Sequence, residues 1–123
     1  MRSIEFSSLT LNLEDQTIGN ESVLIVAFNG QITNTNAYEI NGKISEIFQG
    51  NIFNIILDLT NLQYINSIGV ATLLGMIKTV EQNKGKMYIG GLNHFLENVI
   101  KLMELPKQIK IYPSRDAAIS NWV

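Results

Sequence analysis

The chain has 123 residues, 46% of them hydrophobic and 16% charged, with nine Lys or Arg against eleven Asp or Glu. That length holds one hydrophobic core, and a formal charge of −2 gives no general attraction to nucleic acid or anionic lipid, so neither is expected as a partner. With no cysteine the chain has no disulfide framework, no thiol nucleophile and no Cys-based metal site.

The start Met1-Arg2-Ser3-Ile4-Glu5 has no apolar leader run, and no stretch approaches the roughly 20 apolar residues that span a bilayer. A cytoplasmic protein without direct membrane insertion is expected. Asn20-Glu21-Ser22 matches a glycosylation sequon, read here as a chance match in a turn.

In chain order, Leu9, Leu11 and Leu13 alternate with Thr10 and Asn12, which predicts a half-buried strand between Ile4 and Gln16. Glu14-Asp15 and Gly19-Asn20 mark a turn. The apolar run Ser22–Phe28 predicts a central strand that forms an antiparallel hairpin with the first, ending at Gly30. Ala37, Ile40, Ile44, Ile47 and Phe48 fall at helical spacing, with Asn36 and Glu39 as a capping box and Gly50 as the stop.

A strand from Asn54 to Leu59 then passes through a polar turn into a long helix opening at Asn66-Ser67-Ile68-Gly69. Val70, Leu73, Leu74, Ile77 and Val80 or Glu81 mark its inward stripe, and Asn83-Lys84-Gly85 ends it, with Gly85 suited to the left-handed conformation. Lys86–Gly90 reads as a short strand. A third helix follows from about Asn93, with Leu96, Val99, Ile100 and Met103 in register and Pro106 beyond its end. Gln108–Tyr112 alternates as an edge strand does, and Pro113-Ser114 starts a last helix carrying Ala117, Ala118, Ile119 and Trp122. Strands alternating with helices call for an α/β fold: one domain over residues 1–123, a mixed sheet with a leading antiparallel hairpin and later parallel strands, and about four helices packed against it.

Little in the chain suggests catalysis. His94, the one histidine, sits at a helix start with no Ser-His-Asp arrangement around it, and Ser67 lacks the Gly-x-Ser-x-Gly frame. Gly85, Gly90 and Gly91 form no phosphate-binding loop, and the carboxylates are scattered. No enzyme activity, metal or cofactor is expected. Ser67 itself stands where an α-helix presents unpaired N–H groups and a partial positive charge, a setting hospitable to a phosphate.

The stretch Ile56-Leu57-Asp58-Leu59-Thr60 through Asn66-Ser67-Ile68-Gly69-Val70 to Leu74 resembles the signature of STAS domains of the anti-sigma factor antagonist type. There a strand ending in Asp-Leu-Ser/Thr is followed by an apolar spacer and Asp-Ser-Ser/Thr-Gly at a helix start. Gly30-Gln31-Ile32-Thr33 and Ile111-Tyr112-Pro113-Ser114 with Ala118 extend the resemblance over nearly the whole chain. It implies a regulator of transcription that binds an anti-sigma factor, itself a serine kinase, and so releases a sigma factor; phosphorylation just before the glycine abolishes binding, and a phosphatase restores it. A second role that the resemblance allows is a scaffold or accessory subunit of a stress-signalling assembly or of a lipid or anion transporter.

The chain departs from the pattern where that switch acts. Asn66 matches the family's acidic residue, Ser67 its first serine, and Ile68, which has no hydroxyl, the phosphoacceptor. Asn66 is still a good N-cap. Ser67 is then a first-turn hydroxyl and nothing more, a displaced phosphoacceptor, or an unmodified contact to a partner. Ile68 is expected on the outer helix face with Thr72, Gly75, Met76 and Thr79, either resting on the Thr33–Asn36 loop or serving as an apolar anchor beside Gly69, with Thr33 and Asn34 as polar rim. A monomer and a homodimer fit equally well.

Overall fold

A computed structural model describes residues 2–102, 104–106 and 108–122. Six strands form one sheet in which spatial order follows chain order: β1 (Arg2–Phe6), β2 (Leu9–Ile18), β3 (Glu21–Ile32), β4 (Asn54–Ile65), β5 (Lys86–Gly90) and β6 (Lys110–Tyr112). β1, β2 and β3 pair antiparallel; β3 to β6 are parallel. This is the predicted mixed sheet with one more strand. The alternating run from Ile4 to Gln16 is two strands folded at Ser7-Ser8, where Ser8 takes φ +62. Ile4 faces Leu11 and Phe6 faces Leu9 across the turn, and the apolar alternation changes phase there, from even positions before Ser7-Ser8 to odd positions after it.

The helices are α1 (Asn34–Gly42), α2 (Ile44–Ile47), α3 (Ser67–Gln82), α4 (His94–Leu102) and α5 (Arg115–Ser120). The first predicted helix is thus two, broken at Gly42-Lys43. Met103, placed in register on the third helix by the sequence, lies outside the described residues. One sheet face carries Leu24, Val26, Phe28, Ile55, Leu57, Leu59, Met87 and Ile89 into the main core, closed by Ala37 and Ile40 of α1, Ile47 of α2, Leu73, Met76, Ile77 and Val80 of α3, and Leu96 and Ile100 of α4. On the other face Val23, Ile25, Ile56 and Tyr88 lie under Ala118 and Trp122. There Trp122 packs on Tyr88 with ring centres 4.6 Å apart, and the Lys86 ammonium stands 4.3 Å from the Trp122 ring. At the start of α5, Arg115 reaches Asp58 and Glu14, each at 3.4 Å.

β4 does not stop at Leu59. It runs on to Ile65 beside β3, with register shifts between Ala27 and Asn29 and between Gly30 and Gln31. Leu59, Leu62 and Ile65 are all buried although they recur every third residue, which a regular strand with a period of two does not allow. At each shift one extra residue on β4 restores the inward direction, so the supposed polar turn is a twice-bulged strand.

The end of α3 also differs from expectation. Lys84, with φ +57, takes the left-handed conformation, and Gly85 does not. Gly85 has a different reason to be glycine: an added Cβ would stand 1.9 Å from the Phe53 carbonyl oxygen. Lys84→Gly should therefore leave stability unchanged or raise it by up to about 1 kcal/mol, while Gly85→Ala should cost about 1–3 kcal/mol, as read from urea midpoints.

Candidate functional site

The site is the start of α3, positioned by the end of β4. Asp58, nearly buried, accepts hydrogen bonds through Oδ1 from the Thr60 amide at 3.1 Å and the Thr60 hydroxyl at 2.6 Å, while its Oδ2 faces Arg115. The Asp-Leu-Thr triplet thus pins the first bulge of β4 and sets the path of the strand towards the helix. Sequence reasoning gave Asp58 no role beyond the motif; its place two residues before a hydroxyl, where a carboxylate bonds its own backbone, was the available signal.

At the strand end Asn66 leaves the chain in extended geometry, φ −102 and ψ −177, and its Oδ1 accepts from the Gly69 amide at 2.8 Å. It is the N-cap, as expected. Ser67, Ile68 and Gly69 are then the first three residues of α3. The amides of Ser67 and Ile68 come too early in the helix for an intrahelical acceptor. Ser67 is exposed, Ile68 is half-buried against the main core, and Gly69 is buried. A Cβ on Gly69 would stand 2.5 Å from Ile65 Cγ1 and 2.7 Å from Ile32 Cγ2, so only glycine lets the first turn of α3 rest on the ends of β3 and β4.

Gly69 also fixes the rotation of α3, and this overturns part of the expected surface. Residues at helical spacing from Gly69, namely Thr72, Leu73, Met76, Ile77 and Val80, are the buried ones. Thr72 and Met76, expected as partner contacts, are 1% and 0% exposed, and the Thr72 hydroxyl donates to the Ile68 carbonyl at 3.1 Å. Neither side chain can meet a partner. Leu74, expected inside, is 38% exposed and Val70 is half-buried. Leu73, Ile77 and Val80 of the expected stripe are buried as read, but the inward face is centred towards Gly69, Thr72 and Met76 and away from Val70 and Leu74, because a glycine was not counted as part of it.

The neighbouring α1 start lies alongside. Its N-cap is Thr33, not Asn36: the Thr33 hydroxyl accepts from the Asn36 backbone amide at 3.4 Å and the Asn36 side-chain Oδ1 accepts from the Thr33 backbone amide at 2.8 Å. Glu39 therefore takes no part in the capping box. Asn36 is fully buried, and its Nδ2 donates to the Ser7 and Gln31 carbonyls at 2.6 and 2.7 Å, tying the β1–β2 turn, the end of β3 and α1 together. Asn34 is exposed, and its Oδ1 accepts from Asn66 Nδ2 at 2.5 Å. The structure thus brings Thr33, Asn34, Asn66, Ser67, Ile68 and Gly69 together at one pole. Neither α1 nor α3 has an acidic residue in its first turn.

His94 stands fully exposed at the start of α4, 3.7 Å from Glu97; the N-cap there is Asn93, whose Oδ1 accepts from the Leu96 amide at 2.8 Å. Among the described residues no helix is long and apolar enough to cross a membrane.

A twice-bulged strand feeding a capped helix on a mixed sheet defines an α/β protein whose distinctive surface is a helix start and not a cleft. The chain belongs to the STAS domain family, whose sequence profile matches residues 16–118. Among curated relatives, the anti-sigma F factor antagonist of Paenibacillus polymyxa is 26% identical over 111 residues, covering 89% of this chain and 95% of the relative. The putative anti-sigma factor antagonist BtrV of Bordetella bronchiseptica is 24% identical over 80% of this chain and 84% of its own. Of solved structures, an anti-sigma factor antagonist from Mycobacterium paratuberculosis superposes with a TM-score of 0.75 at 21% identity over 92% of each chain. Unphosphorylated SpoIIAA superposes at 0.66 with 20% identity over 90% of this chain and 94% of its own. These likenesses establish the fold.

Two substitutions check the geometry. Gly69→Ala should cost about 1–3 kcal/mol by forcing α3 off Ile32 and Ile65, and Asn66→Ala about 0.5–2 kcal/mol through the lost cap, both measured by chemical denaturation.

Proposed function

We propose that the protein is an anti-sigma factor antagonist that docks through the paired starts of α1 and α3, with Asn34, Asn66, Ser67 and Ile68 as contacts, and whose phosphate switch has moved from position 68 to Ser67. The observation that carries this is the state of the α3 start: helix cap, glycine seat and neighbouring α1 are intact, while position 68 offers a half-buried isoleucine and position 67 an exposed hydroxyl. The curated relatives named above supply the partner class, an anti-sigma factor, with its kinase activity and an opposing phosphatase implied by the family resemblance.

The electrostatics support a phosphate at Ser67. It would add roughly −1.5 to −2 charges at pH 7 next to two free amides, with no carboxylate in the first turn of either helix. The free protein would tolerate it. Burial of the same charge against a partner would cost desolvation, and about 1.4 kcal/mol already lowers affinity tenfold.

The test is incubation with the anti-sigma factor kinase of the source organism and ATP, followed by site mapping by mass spectrometry and titration calorimetry. Phosphate is expected on Ser67, absent from Ser67→Ala, and binding is expected to fall by about tenfold or more on phosphorylation. The variant Ile68→Ser should gain a second acceptor. Tight binding with no phosphate on Ser67 would leave an antagonist without a switch at this loop, and no binding at all would remove the antagonist reading.

A further inference from the structure

Three of the four helices that leave the parallel strands, α1, α3 and α4, start on the main-core side of one pole, and the segments that build those starts share a composition, unlike the start of α5 on the other face, which carries Arg115 and Asp116. Residues 29–38, 60–69 and 91–96 contain no Asp, Glu, Lys or Arg, and the one carboxylate in the first turn of any of the three helices is Glu97 of α4, 3.7 Å from His94. The other end of the molecule holds exposed ion pairs, Lys43 with Glu46 and Lys86 with Glu21. Within the uncharged pole, Tyr64 and Phe95 are 45% and 39% exposed and stack edge to face, ring centres 5.6 Å apart at 85°.

This pair is held in place by backbone ties. Tyr64 precedes the cap Asn66 by two residues on the last turn-in of β4. Phe95 follows the α4 cap Asn93, whose Nδ2 donates to the Leu62 carbonyl at 3.2 Å and so ties the α4 start to the β4 end. Two large rings already fixed against each other lose little conformational freedom when covered, and aromatic rings of this kind are the usual energetic centres of protein interfaces. By contrast Tyr38 on α1, 72% exposed, has no ring partner among the described contacts.

We infer that the Tyr64–Phe95 pair is the apolar anchor of the docking pole, and that it selects an anti-sigma factor surface presenting an uncharged, apolar side chain to the α4 side of Ser67. This inference rests on the proposed antagonist function and extends its surface from α1 and α3 to the start of α4. The occupant follows from the charge pattern. A partner face bearing ammonium groups would find no counter-charge among residues 29–38, 60–69 and 91–96, and carboxylates set over the Tyr64–Phe95 rings would find none there and would stand close to Glu97, so their desolvation would go uncompensated. An apolar side chain with hydroxyl or amide neighbours meets rings, asparagines and threonines and loses nothing. Affinity at this pole should accordingly depend little on salt, since Debye screening acts on charge pairs that the pole does not supply.

Titration calorimetry of the purified anti-sigma factor kinase of the source organism tests this with wild type, Tyr64→Ala, Phe95→Ala, Phe95→Leu and Tyr38→Ala, each first shown to melt as wild type does. Expected is a loss of about tenfold or more in affinity for Tyr64→Ala and Phe95→Ala, a smaller loss for Phe95→Leu, and little change for Tyr38→Ala. Wild-type affinity should also vary by less than about threefold between low and high salt. Wild-type binding with unchanged affinity in Tyr64→Ala and Phe95→Ala overturns the anchor and leaves the antagonist reading standing. No binding by wild type overturns both. Self-association of the wild type that Phe95→Ala abolishes, with kinase affinity unchanged, overturns the anchor in favour of a contact between copies of this chain.

Discussion

The contact on which the rest of the site depends is the seat of the first turn of α3 against Ile32 and Ile65, made through a position that has no side chain. Gly69 brings helix backbone onto the ends of two parallel strands, and every other property of the helix start follows from that approach. It sets the helix rotation, so that Thr72 and Met76 turn inward and Ser67 outward. It also brings Asn66 within hydrogen-bond reach of Asn34, which joins two helix starts into one surface. The strand beneath must end in the right place for this, and the two bulges of β4, the first held by Asp58 and Thr60, put it there.

Asn66 meets two demands with one side chain. Its oxygen caps Gly69 and its amide nitrogen donates to Asn34. A carboxylate at this position could perform the first task and not the second, because an ionised carboxylate only accepts. The asparagine in this chain therefore exchanges a negative charge beside the helix start for a hydrogen bond between helices. With no acid left in the first turns, the partial positive charges of α1 and α3 stand unneutralised at the pole.

Much of this was legible in the sequence, because the strands and helices that alternate late in the chain have strong periodic patterns and well-marked caps. Asn66 was read correctly since its side chain acts within three residues. What escaped reading depends on contacts distant in sequence. The Ser7-Ser8 turn left a signal, the change of apolar phase from Ile4 and Phe6 to Leu9, Leu11 and Leu13, but two serines carry no glycine or proline to mark a turn. The bulges of β4 looked like a turn because Leu59, Leu62 and Ile65 repeat every three residues, a period that belongs to neither a regular strand nor a helix. The stripe of α3 was right at Leu73, Ile77 and Val80, and the burial of Thr72 and Met76 was missed because Ile32, more than thirty residues earlier in the chain, meets a glycine on that side of the helix. The Thr33 cap was passed over for Asn36, which is buried by carbonyls of Ser7 and Gln31 that local pattern cannot bring near.

The sheet order bears on how the molecule comes to exist at all. Since every strand pairs with the strand before it, no pairing waits for a segment made much later, and each newly synthesised strand has an edge ready to receive it. The exception is the second face. Val23, Ile25 and Ile56 are in place once β3 and β4 have met, yet their cover, Ala118 and Trp122, belongs to the last few residues described. Until Ala118 of α5 and Trp122 have left the ribosome, then, the half-built domain carries a bare apolar strip, and that interval is when it is most exposed to aggregation.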